Sequence, residues 1–182
     1  MSDVHAVPRA TGDDAVVRPA TGADAEAISA IYNDAVLTST TTFDLEPQAA
    51  ADRARWLTAE TTRLCLVAEL DGVVTGWTAL TGWSARGGYR ETAELAIYVA
   101  TERRRAGVGL ALAGAALRAA PALGLHAVIA QVCAENEAGL GFAARLGMTP
   151  VGTLREVGLK FGRRLDVVVC ERLVSGTRGQ RR

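Results

Sequence analysis

The sequence predicts an α/β domain, a mixed central β-sheet with helices on both faces. Two observations carry that prediction. Segments with apolar residues at helical spacing alternate along the chain with short β-rich apolar runs. Between two of those runs lies Asp71-Gly72, a two-residue turn that favours positive φ and therefore a hairpin. The 182 residues suit one domain; 49% are hydrophobic and 22% charged, enough apolar matter for a sizeable core.

The elements follow in order. Ala15 to Arg18 reads as a strand stopped by Pro19, and Thr21-Gly22-Ala23-Asp24 matches a capping box. Ile28, Ile31, Tyr32 and Ala35 then continue a helix to about Leu37. A polar run, Thr38 to Thr42, leads to Phe43, and Pro47 suits the first position of a second helix carrying Ala51, Ala54, Trp56 and Leu57. Leu64–Leu70 and Val73–Leu80 flank the hairpin turn, and Glu91–Val99 is a further strand. The link Arg103–Gly109 opens an Ala- and Leu-rich helix that stops around Pro121. His126–Val132 reads as a buried strand, Asn136–Leu146 as a helix closed by Gly147, and Val167–Leu173 as a final strand. The order is β-α-α-β-β-β-α-β-α-β-β. The domain spans 15–174, between a polar leader (1–14) and a basic tail (175–182).

Composition narrows the function. Twenty Lys+Arg balance twenty Asp+Glu, so the basic excess of a nucleic-acid binder is missing. Two histidines leave little for a His-based triad or metal cage, and no metal is expected. Cys65, Cys133 and Cys170 lie far apart in apolar runs, which reads as buried free thiols in a reducing cytoplasm. The N-terminus has no continuous apolar stretch of signal type, and Ala106–Leu117 falls short of the roughly 18 residues of a membrane span.

The sharpest local signal is Arg104-Arg105-Ala106-Gly107-Val108-Gly109, between a strand and a helix. Glycines there let backbone N–H groups approach an anion at a helix N-terminus, with arginines adding charge. The loop is either a phosphate cradle or a glycine-softened helix start. It is not a P-loop, because no Gly-Lys-Ser/Thr follows, and Leu112 stands where a dinucleotide fingerprint needs its third glycine.

R-x-x-G-x-G after a strand, with Asn136 on a strand-to-helix turn about thirty residues on, resembles the GNAT superfamily of acyl-CoA-dependent N-acetyltransferases. Tyr89-Arg90-Glu91-Thr92-Ala93-Glu94, Ile97-Tyr98-Val99, Arg18-Pro19-Ala20-Thr21, Ile31 to Val36 and Lys160 to Asp166 extend the match. Together they are similar to the phosphinothricin and methionine-sulfoximine acetyltransferase branch. The resemblance implies the GNAT fold, acetyl-CoA as co-substrate, a small amino-acid-like amine as acceptor, direct attack in a ternary complex, and a homodimer. It implies that the backbone of Ile97, Tyr98 and Val99 pairs with the pantetheine arm. Arg104, Arg105, Ala106, Gly107, Val108, Gly109 and Leu110 would hold the pyrophosphate, and Asn136 would contact the cofactor near the thioester. Asn136 also suits a helix N-cap, and both roles are compatible. Glu94 corresponds to the family's general base; an ordinary Glu, at about 4.3, needs burial or a water chain for that task. Phe43, Trp83, Ser84, Arg86, Tyr89, Arg90 and Glu94 would face the acceptor; Trp77 and Tyr32 could line the same pocket but read better as core.

There are departures. Ser84 replaces the first of two loop arginines, Ala143 stands where relatives often carry His or Tyr, and Gly139 replaces a frequent Ser. A protein or peptide amine as acceptor, or a non-catalytic acetyl-CoA-binding module, are the alternative readings.

Overall fold

A computed structural model of the chain describes residues 15–174; the leader and tail lie outside them. The elements run β1 (Val16–Pro19), α1 (Ala25–Thr38), α2 (Ala50–Leu57), β2 (Thr62–Leu70), β3 (Val73–Gly82), β4 (Thr92–Val99), α3 (Val108–Ala119), β5 (Ala127–Cys133), α4 (Glu137–Arg145), β6 (Thr149–Lys160) and β7 (Arg163–Leu173). That is the order read from the sequence. The seven strands form one sheet in the order β1-β2-β3-β4-β5-β7-β6, antiparallel at every junction except β4–β5.

Side-chain alternation along the strands builds two cores. On β2, Leu66 and Ala68 face α3, whose Val108, Leu112, Ala113, Ala116 and Leu117 complete that layer. The intervening Cys65 and Val67 face α1, meeting Ile28, Tyr32 and Val36 together with Trp77 and Ala79 of β3. Strand periodicity thus sorts one apolar run onto two helix layers. All three cysteines are buried and unpaired, and burial pushes the Cys65 thiol up to about 12.

The two hairpin turns follow from their sequences. Asp71 and Gly72 have φ of 52° and 76°, and Phe161 and Gly162 have 50° and 71°, the two successive positive values that match strand twist. The second turn places the Lys160–Asp166 motif on β6, a turn and β7, so the last strand starts at Arg163 rather than Val167.

Several boundaries differ from the sequence reading. Pro19 belongs to β1, at the sheet edge, where a missing N–H costs no ladder bond. Pro47 lies outside α2, which begins at Ala50 behind an extended Ala49. Gln48 accounts for this: its N–H donates to Asn33 Oδ1 at 2.8 Å and its carbonyl accepts from Ser29 Oγ at 2.6 Å, so the segment is tied to α1 instead of coiling. His126 precedes β5, and Pro121 sits within a short 3₁₀ turn after α3.

Asp24 fastens the start of α1. Its Oδ2 accepts from the Thr21 N–H at 2.7 Å and Thr21 Oγ1 at 3.0 Å, and Arg18 donates to both carboxylate oxygens at 2.7 and 2.9 Å. The guanidinium holds the buried carboxyl down at about 2.

Candidate active site

The site begins where the sheet splits. β4 and β5 pair only from Thr92↔Ala127 to Glu94↔Ile129. Beyond Glu94, β4 stays with β3 as far as Val99, while β5 stays with β7 as far as Cys133. The two halves of the sheet diverge and leave a cleft of about 530 Å³, walled by Leu95–Tyr98 on one side and Ala130–Cys133 on the other. The β4 edge facing this gap has no strand partner among the described residues, so its N–H and C=O groups are open to an extended ligand. Ile97 and Tyr98 are in the cleft wall; Val99 packs toward α3.

At the end of β4 the chain makes the glycine-bearing turn. Arg105 has φ of 63° and Gly107 of 85°, both left-handed. Gly107 is the N-cap of α3, and no side chain caps the helix there. The first N–H groups of α3 therefore end in an exposed loop with positive partial charge, as an anion cradle requires. Gly109 is close-packed: a Cβ would touch Phe142 of α4 at 3.4 Å. Val108 and Leu110 turn into the core. Arg104 is held by Val99, whose carbonyl accepts from Nε at 3.3 Å, and lies 3.8 Å from Asp34, which also accepts from Thr101 Oγ1 at 2.9 Å.

Asn136 is the N-cap of α4. Its Oδ1 accepts from the Gly139 N–H at 2.9 Å, and its side chain lines the cleft. Gly139 makes that pose possible, because a Cβ there would lie 2.5 Å from Asn136 Nδ2. A serine in place of Gly139 would force the asparagine elsewhere. Ala143, one turn further on, is buried and also forms cleft wall.

Glu94 stands at the fork itself, on the strand face shared with Ala96 and Tyr98. It is partly exposed to the cleft, and Gln131 Nε2, from the diverging β5, donates to its Oε1 at 3.0 Å. Phe43 also forms cleft wall, and β6 fixes its position. Its ring lies on Gly158, where even a Cβ would fall 2.0 Å from a ring carbon, and buried Lys160 donates to the Thr42 carbonyl at 2.7 Å. The cleft wall does not include Trp83, Ser84, Arg86, Tyr89 or Arg90. These belong to a partly to fully exposed loop at the Glu94 end of β3–β4, where Trp83 N–H donates to the Thr92 carbonyl at 3.3 Å. Ser84 Oγ accepts from the Arg86 N–H, a bond internal to that loop.

Sequence reasoning missed the most concentrated feature of the cleft. Tyr32, Trp56, Trp77 and Tyr98 form a connected aromatic group, with Trp77 and Tyr98 stacked at 4.8 Å. The Arg53 guanidinium lies over three of these rings, 4.6 Å from Tyr32, 4.7 Å from Trp56 and 5.2 Å from Trp77. Trp77 and Tyr32 are buried, as a core reading expects, yet both face the cleft. Burial and the neighbouring Asp44, which accepts from the Tyr32 hydroxyl at 2.8 Å, push the Tyr32 phenol up to about 12. The available signal was an arginine one helical turn before Trp56, on the face of α2 that the apolar pattern turns inward.

The split mixed sheet thus brings an open strand edge, an uncapped glycine turn and a carboxylate at the fork around one cleft. Residues 28–148 match the profile of the acetyltransferase (GNAT) family, and the chain belongs to that family. It is 34% identical over 167 residues to the L-methionine sulfoximine/L-methionine sulfone acetyltransferase of Pseudomonas paraeruginosa, covering 90% of this chain and 97% of that one. It is 36% identical over 166 residues to the phosphinothricin N-acetyltransferase of Streptomyces viridochromogenes, covering 86% of each. An acetyltransferase of Salmonella typhimurium, solved with its cofactor acetyl-CoA, superposes with a TM-score of 0.85 at 30% identity, over 89% of this chain and 95% of the other.

Proposed function

We propose that this protein transfers the acetyl group of acetyl-CoA to the primary amine of a small amino-acid-like molecule, by direct attack in a ternary complex. The observation that carries the reading is Glu94 at the fork, with the unpartnered β4 edge running from it toward the uncapped α3 N-terminus. Ile97 and Tyr98 would offer that edge to the pantetheine arm. The loop from Arg104 to Leu110 would hold the pyrophosphate, and Asn136 would contact the arm from α4.

Glu94 would take the proton from the acceptor's ammonium group, and the freed nitrogen lone pair forms the new C–N bond as the C–S bond breaks. As the intermediate collapses, the nitrogen gives up its second proton, which reaches the departing thiolate through water, since Ala143 offers none. Backbone N–H groups near Leu95 to Ile97 would stabilise the developing oxyanion. The exposed loop carrying Trp83, Ser84, Arg86, Tyr89 and Arg90 would flank the acceptor's path to Glu94. With balanced charge and unpaired cysteines, the protein would work in the cytoplasm. Leu154, Val157, Leu159 and Phe161 are exposed along the edge strand β6 and its turn, a surface that supports a homodimer.

The test is thiol release from acetyl-CoA against a panel of amino acids and analogues. Release that depends on both the amine and Glu94 is expected. Calorimetric binding of acetyl-CoA without release for any amine would overturn the reading in favour of a binding module.

A further inference from the structure

Arg53 is a buried cation held mainly by neutral groups. It is only 4% exposed, and it is one of the residues that line the cleft. No salt bridge reaches it among the described residues; Nη2 donates to the neutral Gln48 Oε1 at 2.7 Å, and Nε has no partner. Trp77 Nε1, against the same guanidinium, is also a buried donor without a partner. Asp44 adds charge nearby, with Tyr32 and Gln48 both donating to its Oδ2, but it forms no salt bridge with Arg53. Aromatic faces stabilise a cation without neutralising it. A buried charge with orphaned donors beside it calls for an acceptor atom.

We infer that Arg53 is the anchor for an oxyanion of the acceptor molecule, with the aromatic group as its rigid seat. The inference rests on the proposed N-acetyltransferase reading and names the side chain that would hold the anion of the amino-acid-like acceptor. The register supports this placement. Trp77 pairs with Tyr98, and four residues along, Thr81 pairs with Glu94, so the seat and the fork lie on one face of the same two strands, about 13 Å apart along them. An acceptor held by its anion on the Arg53 side would lie along that face with its amine directed toward the fork. The planar guanidinium, its faces taken by rings, has its N–H edge left for planar oxygen pairs. Arg86, the exposed loop arginine, lies outside the cleft wall.

The decisive comparison uses the native protein and needs no variant. With saturating acetyl-CoA, glutamate is compared with its α-amide and with its side-chain amide, glutamine. Neutralising the anchored oxyanion should raise KM about 10–100-fold with kcat little changed, and the arm that responds says whether the α- or side-chain carboxylate is held. In Arg53→Gln the acid and amides should converge, while Arg53→Lys should keep part of the preference. A second readout is independent of turnover. In Trp83→Phe only Trp56 and Trp77 remain, and glutarate should change their fluorescence saturably whereas glutaramide should not. Equal KM values, or identical fluorescence responses to acid and amide, overturn the Arg53 assignment and leave the enzyme reading standing. Thiol release from no amine, with glutarate still selectively bound, overturns the enzyme reading and leaves the anchor.

Discussion

Two charged regions flank the cleft, and they are built in opposite ways. The turn from Arg104 to Gly109 is six consecutive residues, largely exposed, whose chemistry is backbone N–H groups set by two left-handed residues. The Arg53 seat takes one side chain each from α1, β3 and β4 and two from α2, three of the five buried and the others half-buried. A backbone site is robust to side-chain change but fails when a glycine is lost. A side-chain site tolerates backbone variation but depends on every packing partner. Each region is expected to answer to a different kind of substitution, and Glu94 at the fork to neither.

The largest effect should come at the fork. Glu94→Gln keeps the shape and the contact with Gln131 but removes the base, so kcat should fall by about 10²–10⁴. Acetyl-CoA affinity, measured by calorimetry, should change little. A variant that keeps full kcat with an unaltered pH–rate profile would move the base to another group and dissolve the three-part division.

Next in size is the backbone site. Gly107→Asp puts a side chain at φ of 85° and a negative charge where phosphate is expected. Acetyl-CoA affinity should drop about 100-fold, or ~2.7 kcal/mol, while the acid-over-amide preference at the Arg53 seat survives. Equal binding by a folded variant would remove the cradle assignment.

The same contrast explains what the sequence made legible. The glycine turn, the carboxylate at the fork and the Asn136 cap were readable because each lies in a contiguous motif whose neighbours fix its backbone. The element order was readable because period-two and period-3.6 runs are local. Arg53, Gly158 and Lys160 were not. Gly158 matters only because Phe43, 115 positions away in the chain, lies on it, and nothing within several residues of Gly158 encodes that. Pro47 misled because a local preference for a helix start gave way to the Gln48–Asn33 bonds. Trp83 to Arg90 were placed at the acceptor by motif, and the motif encodes proximity to β4, not membership of the cleft wall.

The seat also depends on α1, which carries Tyr32, and so on the Arg18–Asp24 pair beneath its first turn. Asp24→Asn should destabilise the fold by about 2 kcal/mol at pH 7, from the drop of the carboxyl from 3.8 to about 2. A group whose folded pKa is lowered contributes its stability above the unfolded value. The gap between native and variant should therefore close as pH falls from about 4 to about 2. Chemical denaturation across that range checks it, and a gap independent of pH would assign the effect to lost shape rather than charge.

The smallest effect tests whether the fork is as independent as the comparison makes it. Gln131 reaches Glu94 from the diverging β5, across the widening gap, and its Nε2 engages only Oε1. That bond fixes the carboxylate plane and leaves Oε2 free to meet the amine. Gln131→Leu keeps most of the volume and removes the donor, at an exposed position where such a bond is worth about 1 kcal/mol or less. The expected outcome is a fall in kcat of about 3–10-fold, with KM for acetyl-CoA unchanged and the acid-over-amide preference intact. Gln131→Asn, one methylene shorter, should lose nearly as much because the reach across the gap is fixed by the two strands. If Gln131→Leu instead altered acetyl-CoA binding, the side chain would be part of the cleft's grip on the extended ligand. If it altered the acid-over-amide preference, the fork and the Arg53 seat would be a single coupled site, and the acceptor's two ends would have to be held as one.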